Sequence, residues 1–184
     1  MGVPYVPVVG LAGTDLLARR DDMRMLPNPF GAEGEESDWE SVVVKALRPD
    51  VALIHVLEAD RAGNVRCGYP SDNLLLAEAS RTVIVTAERL VERVREEDAG
   101  REFIPGMFVQ AVAEAPLGAH PAAMPGLYPV DDAHMRRYAQ AARSDEDFAE
   151  YLRAVVHNLP DHAAYVASEV PEGWSQSALR AAGD

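Results

Sequence analysis

The sequence predicts an α/β fold, namely a mostly parallel sheet with flanking helices and a helical C-terminal extension. Two apolar runs, 51–56 and 82–86, are rich in β-branched residues and have the composition of buried strands. The segment 73–79 between them has helical character, so 48–91 forms a strand–helix–strand unit, which implies parallel strands. Capping residues followed by helical spacing then recur between residues 131 and 170.

Length and composition predict a single domain over residues 1–184 and exclude several classes of partner. The net charge of −13 argues against a nucleic-acid partner, because an acidic chain without a basic stripe repels phosphates. No apolar run reaches the length of a membrane span, so no membrane partner is expected. The one cysteine, Cys67, excludes an internal disulfide and predicts a cytoplasmic location.

Little regular structure is expected over about the first forty residues. The apolar run from Val3 to Leu11 contains two prolines, which cannot donate to a ladder, so it predicts an edge strand or an extended connection. A turn into a short helix capped by Thr14 follows. Residues 19–38 are polar and rich in proline and glycine, which predicts a surface loop, and 41–47 return to an apolar pattern.

A tight turn is predicted directly after the first buried strand, at Asp60, Gly63 and Asn64. Glycine and asparagine tolerate positive φ, and an aspartate side chain accepts hydrogen bonds from backbone two residues on. These residues are therefore primarily turn formers. The alternative is that Asp60, Gly63 and Asn64 take part in substrate binding, with Gly63 and Asn64 lining a pocket through backbone groups.

Beyond the second strand the pattern predicts a helix over 88–97 and another strand over 107–115. Ser71 or Asp72 caps the helix at 73–79. The C-terminal part predicts three capped helices and a helical tail, with caps at Asp131 or Asp132, at Ser144 and at Asp161, and with the tail over 174–182.

Several separate blocks, in order, resemble the A-type subunit of the family I CoA-transferases, most closely the glutaconate CoA-transferase branch. They are RPDVALIH (48–55), ADRAGNV (59–65), RTVIVTAERLVE (81–92), IPGMFVQAVAEAPLGAHP (104–121) and YPVDDAHMRRYAQAARSDEDFAEYL (128–152). The resemblance implies a CoA-transferase (NagB/RpiA-like) type of sheet. We expect the chain to match only the C-terminal half of such an A-type subunit, since about a hundred preceding residues have no counterpart here.

The resemblance implies a subunit of an enzyme that acts on acyl-CoA thioesters of (di)carboxylic acids. Such transferases use a glutamate that attacks the thioester and later carries CoA as a thioester of its own. In the glutaconate branch this glutamate lies in the B-type subunit, beside a Glu-Asn-Gly step that this chain lacks. The expected partners are a chain like the B-type subunit, which supplies the nucleophile, and a chain resembling the N-terminal half of the A-type subunit. Coenzyme A thioester is the expected substrate, and no bound cofactor is expected.

Two alternatives stay open at the level of sequence. Relatives of this branch resemble CoA-dependent ring-opening hydrolases of steroid degradation, in which water takes the place of the accepting carboxylate. The second alternative is that the chain is a non-catalytic remnant that acts as a binding module.

The candidate catalytic residues within the chain are Glu58, Glu88, Glu114 and His120. Each glutamate closes a predicted strand at the carboxyl edge, where open α/β sheets bind ligands, so the three carboxylates are candidates for one crevice. The competing interpretation is that strand ends are solvated and glutamate is common there. His120 lies in a Gly-Ala-His-Pro loop, where site residues concentrate, and it is also a candidate for substrate binding. The competing role is that of a structural loop histidine.

Structural roles are expected for the other histidines. His55 lies in an apolar run and predicts a satisfied core residue, whereas His134, His157 and His162 predict surface or packing positions on helices. No spacing of His, Cys, Asp and Glu resembles a zinc site, so no metal is expected.

Overall fold

A computed structural model describes residues 2–28, 40–69, 71–99 and 102–174. The chain divides into two compact units, Met1–Arg48 and Pro49–Asp184. The expectation of a single domain over the whole chain stays a prediction.

The first unit is built on a three-stranded antiparallel sheet. It contains β1 (Tyr5–Val8), the short helix α1 (Asp15–Arg19), β2 (Met23–Leu26) and β3 (Ser41–Lys45). The strand order is β1-β3-β2, so β1 is an edge strand, as the prolines of the run from Val3 to Leu11 predict.

The loop predicted over 19–38 is wrong in one part, because β2 forms there and pairs with β3. This strand has only four residues, too few for its alternation to stand out from the polar, proline- and glycine-rich segment around it. Residues 29–38 of that prediction lie outside the described part of the chain.

The second unit contains a mixed five-stranded sheet with helices packed on it. Its elements up to the last strand are β4 (Val51–Asp60), β5 (Val65–Arg66), α2 (Asn73–Ala79), β6 (Thr82–Val91), α3 (Glu96–Ala99), β7 (Phe103–Ile104) and β8 (Ala111–Glu114). The strand order is β7-β5-β4-β6-β8. The long strands β4, β6 and β8 are parallel, and the two-residue strands β5 and β7 add an antiparallel edge. The α/β class with flanking helices is confirmed.

Two boundaries after the second strand differ from prediction. The helix predicted over 88–97 is wrong, because β6 continues in register with β4 as far as Val91 and only four residues form α3. Pairing with β4 overrides the helical spacing of this segment. The strand predicted over 107–115 is shorter, since a 3₁₀ turn at Gly106–Phe108 precedes β8.

The main core lies on one face of the parallel strands. Ala52, Ile54 and Val56 of β4 are 3%, 5% and 0% exposed, and they pack with Val83 and Val85 of β6. Successive side chains of a strand point to opposite faces, so the residues between them lie on the other face.

The C-terminal extension is helical, as predicted. It comprises α4 (Asp132–Ala141), α5 (Asp145–Leu152), which runs into a π-helical turn at Arg153–His157, and α6 (His162–Glu169). The predicted caps are present at Asp131, Ser144 and Asp161, whose side chains accept hydrogen bonds from backbone N–H groups of the first turns. The tail beyond Trp174 lies outside the described residues. Within the part of the chain that the structure describes, no helix is long and apolar enough to cross a bilayer.

Candidate functional site

The predicted turn after β4 is organised by the buried carboxylate of Asp60. Its Oδ1 accepts hydrogen bonds from the N–H groups of Ala62 and Asn64, both at 2.9 Å, and its Oδ2 accepts from Asn64 Nδ2 and from Val94 N, both at 3.0 Å. Burial opposes ionisation, but the Val94 N–H and the donors of the turn outweigh it and lower the pKa of Asp60. Asp60 is therefore an ionised structural centre that joins two loops.

Gly63 and Asn64 join this turn to the 3₁₀ turn at Gly106. Gly63 has φ +86°, and a Cβ on Gly106 would lie 2.2 Å from the Ala62 carbonyl oxygen, so the two backbones approach as only glycines permit. Asn64 Oδ1 accepts from Gly106 N at 3.0 Å. A pocket of about 260 Å³ opens beside Asp60 and Gly63. Substrate binding by this turn stays a prediction.

The three candidate glutamates do not converge on one side of the sheet. In the parallel register Glu58 pairs with Arg89, and Ala87 pairs with Glu114, so Glu58 and Glu114 share a face and Glu88 points to the other. Glu58 bridges Arg66 at 2.8 Å and Arg89 at 2.5 Å.

Glu114 is exposed, and its Oε1 accepts from Leu90 N at 3.1 Å. It caps the end of β6 by this bond. Of the three glutamates, Glu88 alone lies on the face that the loop after β8 covers.

Glu88 is the centre of a buried polar network. Its side chain is 3% exposed, and Oε1 lies 2.8 Å from His55 Nε2 and accepts from the Tyr128 hydroxyl, while Oε2 accepts from Leu117 N at 2.7 Å. Burial, followed by the Glu88 carboxylate, raises the pKa of Tyr128, which keeps its hydroxyl a donor. The other imidazole nitrogen, His55 Nδ1, lies 2.9 Å from Thr86 Oγ1. A hydroxyl, an imidazole and a carboxylate are thus connected in series.

From sequence, this network could be found only by combining the positions of its residues along the two strands with the register in which the strands pair. His55, expected to be a core residue, is only partly buried and lies opposite Thr86 in the β4–β6 pair. Tyr128 is not among the predicted site residues. Its hydroxyl also accepts from Ala119 N at 3.1 Å, so it ties the loop after β8 to the sheet.

His120 lies in a second buried cluster, formed with the start of α4. Its Nδ1 is 2.8 Å from the Tyr165 hydroxyl and its Nε2 is 3.2 Å from Asp131 Oδ2. Asp131 Oδ1 accepts from His134 N at 2.9 Å, and His134 Nε2 lies 2.7 Å from the Tyr151 hydroxyl.

The charges in this second cluster are set by its hydrogen bonds and its burial. The His134 N–H is the main cause that lowers the pKa of Asp131, while burial, followed by the Arg137 guanidinium, lowers the pKa of His134. A neutral imidazole therefore sits beside an ionised carboxylate. Catalytic and substrate-binding roles of His120 stay predictions.

Comparisons with known proteins give this geometry a context. Residues 35–115 match the family model described as Coenzyme A transferase. The A-type subunit of glutaconate CoA-transferase from Acidaminococcus fermentans is 33% identical over 90% of this chain and 56% of its own length. The Cholesterol ring-cleaving hydrolase IpdA subunit of Rhodococcus jostii is 27% identical over 86% of this chain and 55% of its own length.

The fold agrees with that relationship. The crystal structure of glutaconate coenzyme A-transferase from Acidaminococcus fermentans superposes with a TM-score of 0.80 at 30% identity, covering 90% of this chain and 56% of that one. The chain therefore spans about half the length of these relatives. These comparisons confirm the resemblance to the A-type subunit of the CoA-transferases.

Proposed function

Since this chain is related to the A-type subunit of the CoA-transferases, we propose that it is part of a CoA-transferase-like enzyme acting on acyl-CoA thioesters of (di)carboxylic acids. The observation that carries this proposal is the similarity to the glutaconate enzyme, which extends over 90% of the chain in both sequence and structure. Coenzyme A thioester is thus the proposed substrate, and the cytoplasm is the proposed location.

We further propose that the nucleophilic glutamate comes from a partner like the B-type subunit. A carboxylate nucleophile must present a free oxygen lone pair to the thioester carbonyl. Glu88 is buried and accepts from several donors, and Glu58 is clamped between two arginines, so neither carboxylate is positioned for attack.

A second partner, resembling the N-terminal half of the A-type subunit, belongs to the same proposal. In the first unit the apolar side chains of Val3, Tyr5, Val6 and Val9 are 62%, 48%, 49% and 106% exposed. Soluble monomers rarely leave large apolar patches bare, so this exposure supports a covering partner.

The proposed reaction proceeds by two acyl substitutions. The partner's glutamate attacks the thioester carbonyl and the CoA thiolate leaves, which yields a mixed anhydride. The thiolate then attacks the glutamyl carbonyl, which forms a glutamyl–CoA thioester and releases the first carboxylate. A second carboxylate reverses these steps and leaves with CoA, so CoA is transferred without net consumption of water.

The second candidate is hydrolysis, which the 27% identical ring-cleaving hydrolase subunit favours. In that case water replaces the accepting carboxylate. A non-catalytic binding module is the third candidate, and it requires that no complex has activity.

Co-expression with neighbouring reading frames that resemble the B-type subunit and the N-terminal half of the A-type subunit tests the proposal. We expect a complex that co-elutes in size-exclusion chromatography and exchanges CoA between glutaryl-CoA and acetate. Replacement of the partner's glutamate by glutamine should abolish exchange without dissociating the complex. Release of CoA without transfer would favour the hydrolase, and a complex without either activity would favour the binding module. Exchange by the purified chain alone would overturn the assignment of the nucleophile to a partner.

A further inference from the structure

We propose that His120, Asp131 and His134 form a binding site for a divalent metal ion of the zinc type. The three side chains are brought together by the fold from the loop after β8 and from the start of α4. The sequence contains no zinc-type spacing and therefore predicts no metal, because these ligands meet only in the folded chain. This inference is independent of the proposed transferase function.

The ligand atoms are close enough to share one ion. One nitrogen of each imidazole and a carboxylate oxygen of Asp131 all lie within 4.8 Å of one another. Zinc binds histidine nitrogen and carboxylate oxygen at about 2.0–2.2 Å, which separates tetrahedral ligands by about 3.4 Å. A closing movement of about 1 Å per side chain therefore suffices.

Burial and backbone contacts hold the three residues in place. The side chains of His120, Asp131 and His134 are 0%, 10% and 3% exposed. Asp131 is the N-cap of α4, and its backbone N–H donates to Pro121 O at 3.0 Å. Because the three side chains are already held near one another, little conformational freedom is lost when they close on an ion.

The second nitrogen of each ring has the partner that a metal-bound histidine requires. His120 Nδ1 meets the Tyr165 hydroxyl and His134 Nε2 meets the Tyr151 hydroxyl, at 2.8 and 2.7 Å. Metal-binding histidines almost always use their other nitrogen in such a bond, which fixes the tautomer and the orientation of the ring. His120 Nε2 and His134 Nδ1 are thereby the nitrogens left for the ion. Arg137 Nη2 lies 3.5 Å from His134 Nδ1, so this guanidinium must move aside when the ion binds.

A further oxygen lies beside the three ligands. Glu169 Oε2 is 3.6 Å from His134 Nδ1, and its side chain is 11% exposed. Glu169 also pairs with Arg137, which neutralises its charge in the metal-free state. Either Glu169 or a water molecule completes four-coordination.

An ion at this position joins the loop after β8 to the C-terminal helices. Because the unfolded chain does not bring these residues together, binding must raise the stability of the folded state. With Glu169 as the fourth ligand the site is closed by protein groups alone, as structural zinc sites are.

The test uses the full-length chain with its purification tag removed and Zn²⁺ as the only added ligand. The protein is stripped with a chelator, incubated with Zn²⁺, desalted, and assayed for zinc by plasma mass spectrometry and for thermal unfolding by calorimetry. We expect one zinc per chain and an unfolding midpoint higher by about 5 °C. Zinc far below one per chain would overturn the proposal.

Three substitutions locate the site. We expect His120→Gln and Asp131→Asn to weaken Zn²⁺ binding at least tenfold, while His157→Gln, at an exposed position, leaves it unchanged. Asp131→Asn keeps a side-chain oxygen that can cap α4, so it tests binding even where His120→Gln fails to fold. Full zinc retention by Asp131→Asn, or equal loss by His157→Gln, would overturn the assignment.

Discussion

The two faces of the parallel pair β4–β6 differ in what covers them. On one face Ile54 and Val56 are 5% and 0% exposed, and the core packs against them. On the other face Val51, Leu53 and Ile84 are 52%, 75% and 36% exposed. Leu53 and Ile84 are direct neighbours across the two strands, so they form an apolar row in contact with solvent.

The exposed face changes character along the strands. Beyond Leu53 the same face carries His55, Thr86 and Glu88, and the loop around Leu117 and Tyr128 covers it there through hydrogen bonds to Glu88. One face is therefore held by apolar burial as far as Val56, and beyond it by the ion pair of Glu58 with Arg89. The other is held by a polar network at its carboxyl end only. Parallel sheets usually have both faces covered, so the bare part of this face is atypical.

The largest difference in stability is expected between alanine substitutions at adjacent positions on the two faces. Ile54→Ala removes a buried side chain and leaves a cavity, so we expect it to lower the free energy of unfolding by about 3 kcal/mol. Leu53→Ala loses little burial and should cost less than about 1 kcal/mol. Chemical denaturation measures both. Equal losses would show that the face bearing Leu53 is covered in solution.

The polar network should be the next most sensitive feature. Glu88→Gln removes the charge that accepts from Leu117 N and Tyr128, and it places an amide donor among donors. We expect a loss of about 2 kcal/mol. Glu114→Gln is the matched control, since Glu114 is exposed and should cost less than about 0.5 kcal/mol. A Glu88→Gln variant as stable as the control would contradict a network that anchors the loop.

The sequence predicts the covered face better than the network. The apolar runs 51–56 and 82–86 identify both strands, because burial of β-branched residues is a local signal. The end of β6 is missed, because Arg89 extends the pairing with β4 through an ion pair with Glu58 that no hydrophobic pattern contains.

The site is predictable only in part for the same reason. His55 and Glu88 are 33 residues apart, and only the register of β4 against β6 brings them together. His120 is identified by its loop, but Asp131 and His134 join it through the approach of α4, which spacing does not encode. Capping residues, by contrast, are local, and the three predicted caps of the C-terminal helices are present.

The helices that follow the loop at Leu117 should be sensitive to acid. Burial lowers the pKa of His134 below its ordinary value of 6.5, so below that pH the unfolded chain binds more protons than the folded one. Stability contributed by neutral His134 is therefore complete above pH 6.5 and is lost as the pH falls below it. The depressed pKa values of Asp60 and Asp131 add a further loss below their ordinary value of 3.8.

Denaturation midpoints of the chelator-treated chain, measured between pH 8 and pH 5, check this prediction. His134→Gln keeps a polar side chain but does not titrate, so its midpoint should vary less over this range than that of the unmodified chain. If the denaturation midpoints of the two proteins changed equally with pH, the acid sensitivity would belong to other groups.

The smallest effect is expected on the bare part of the exposed face. The double variant Val51→Thr and Leu53→Thr removes apolar surface that water already contacts, and threonine retains a high strand preference, so the free energy of unfolding should change by no more than about 0.5 kcal/mol. Binding of a hydrophobic dye to the folded chain should nevertheless fall, because Val51 and Leu53 are part of the exposed apolar surface. Ile54→Thr is the matched control on the covered face and should cost several times more, because it buries a hydroxyl without an assured partner. A strongly destabilised double variant with unchanged dye binding would mean that the two faces are covered alike.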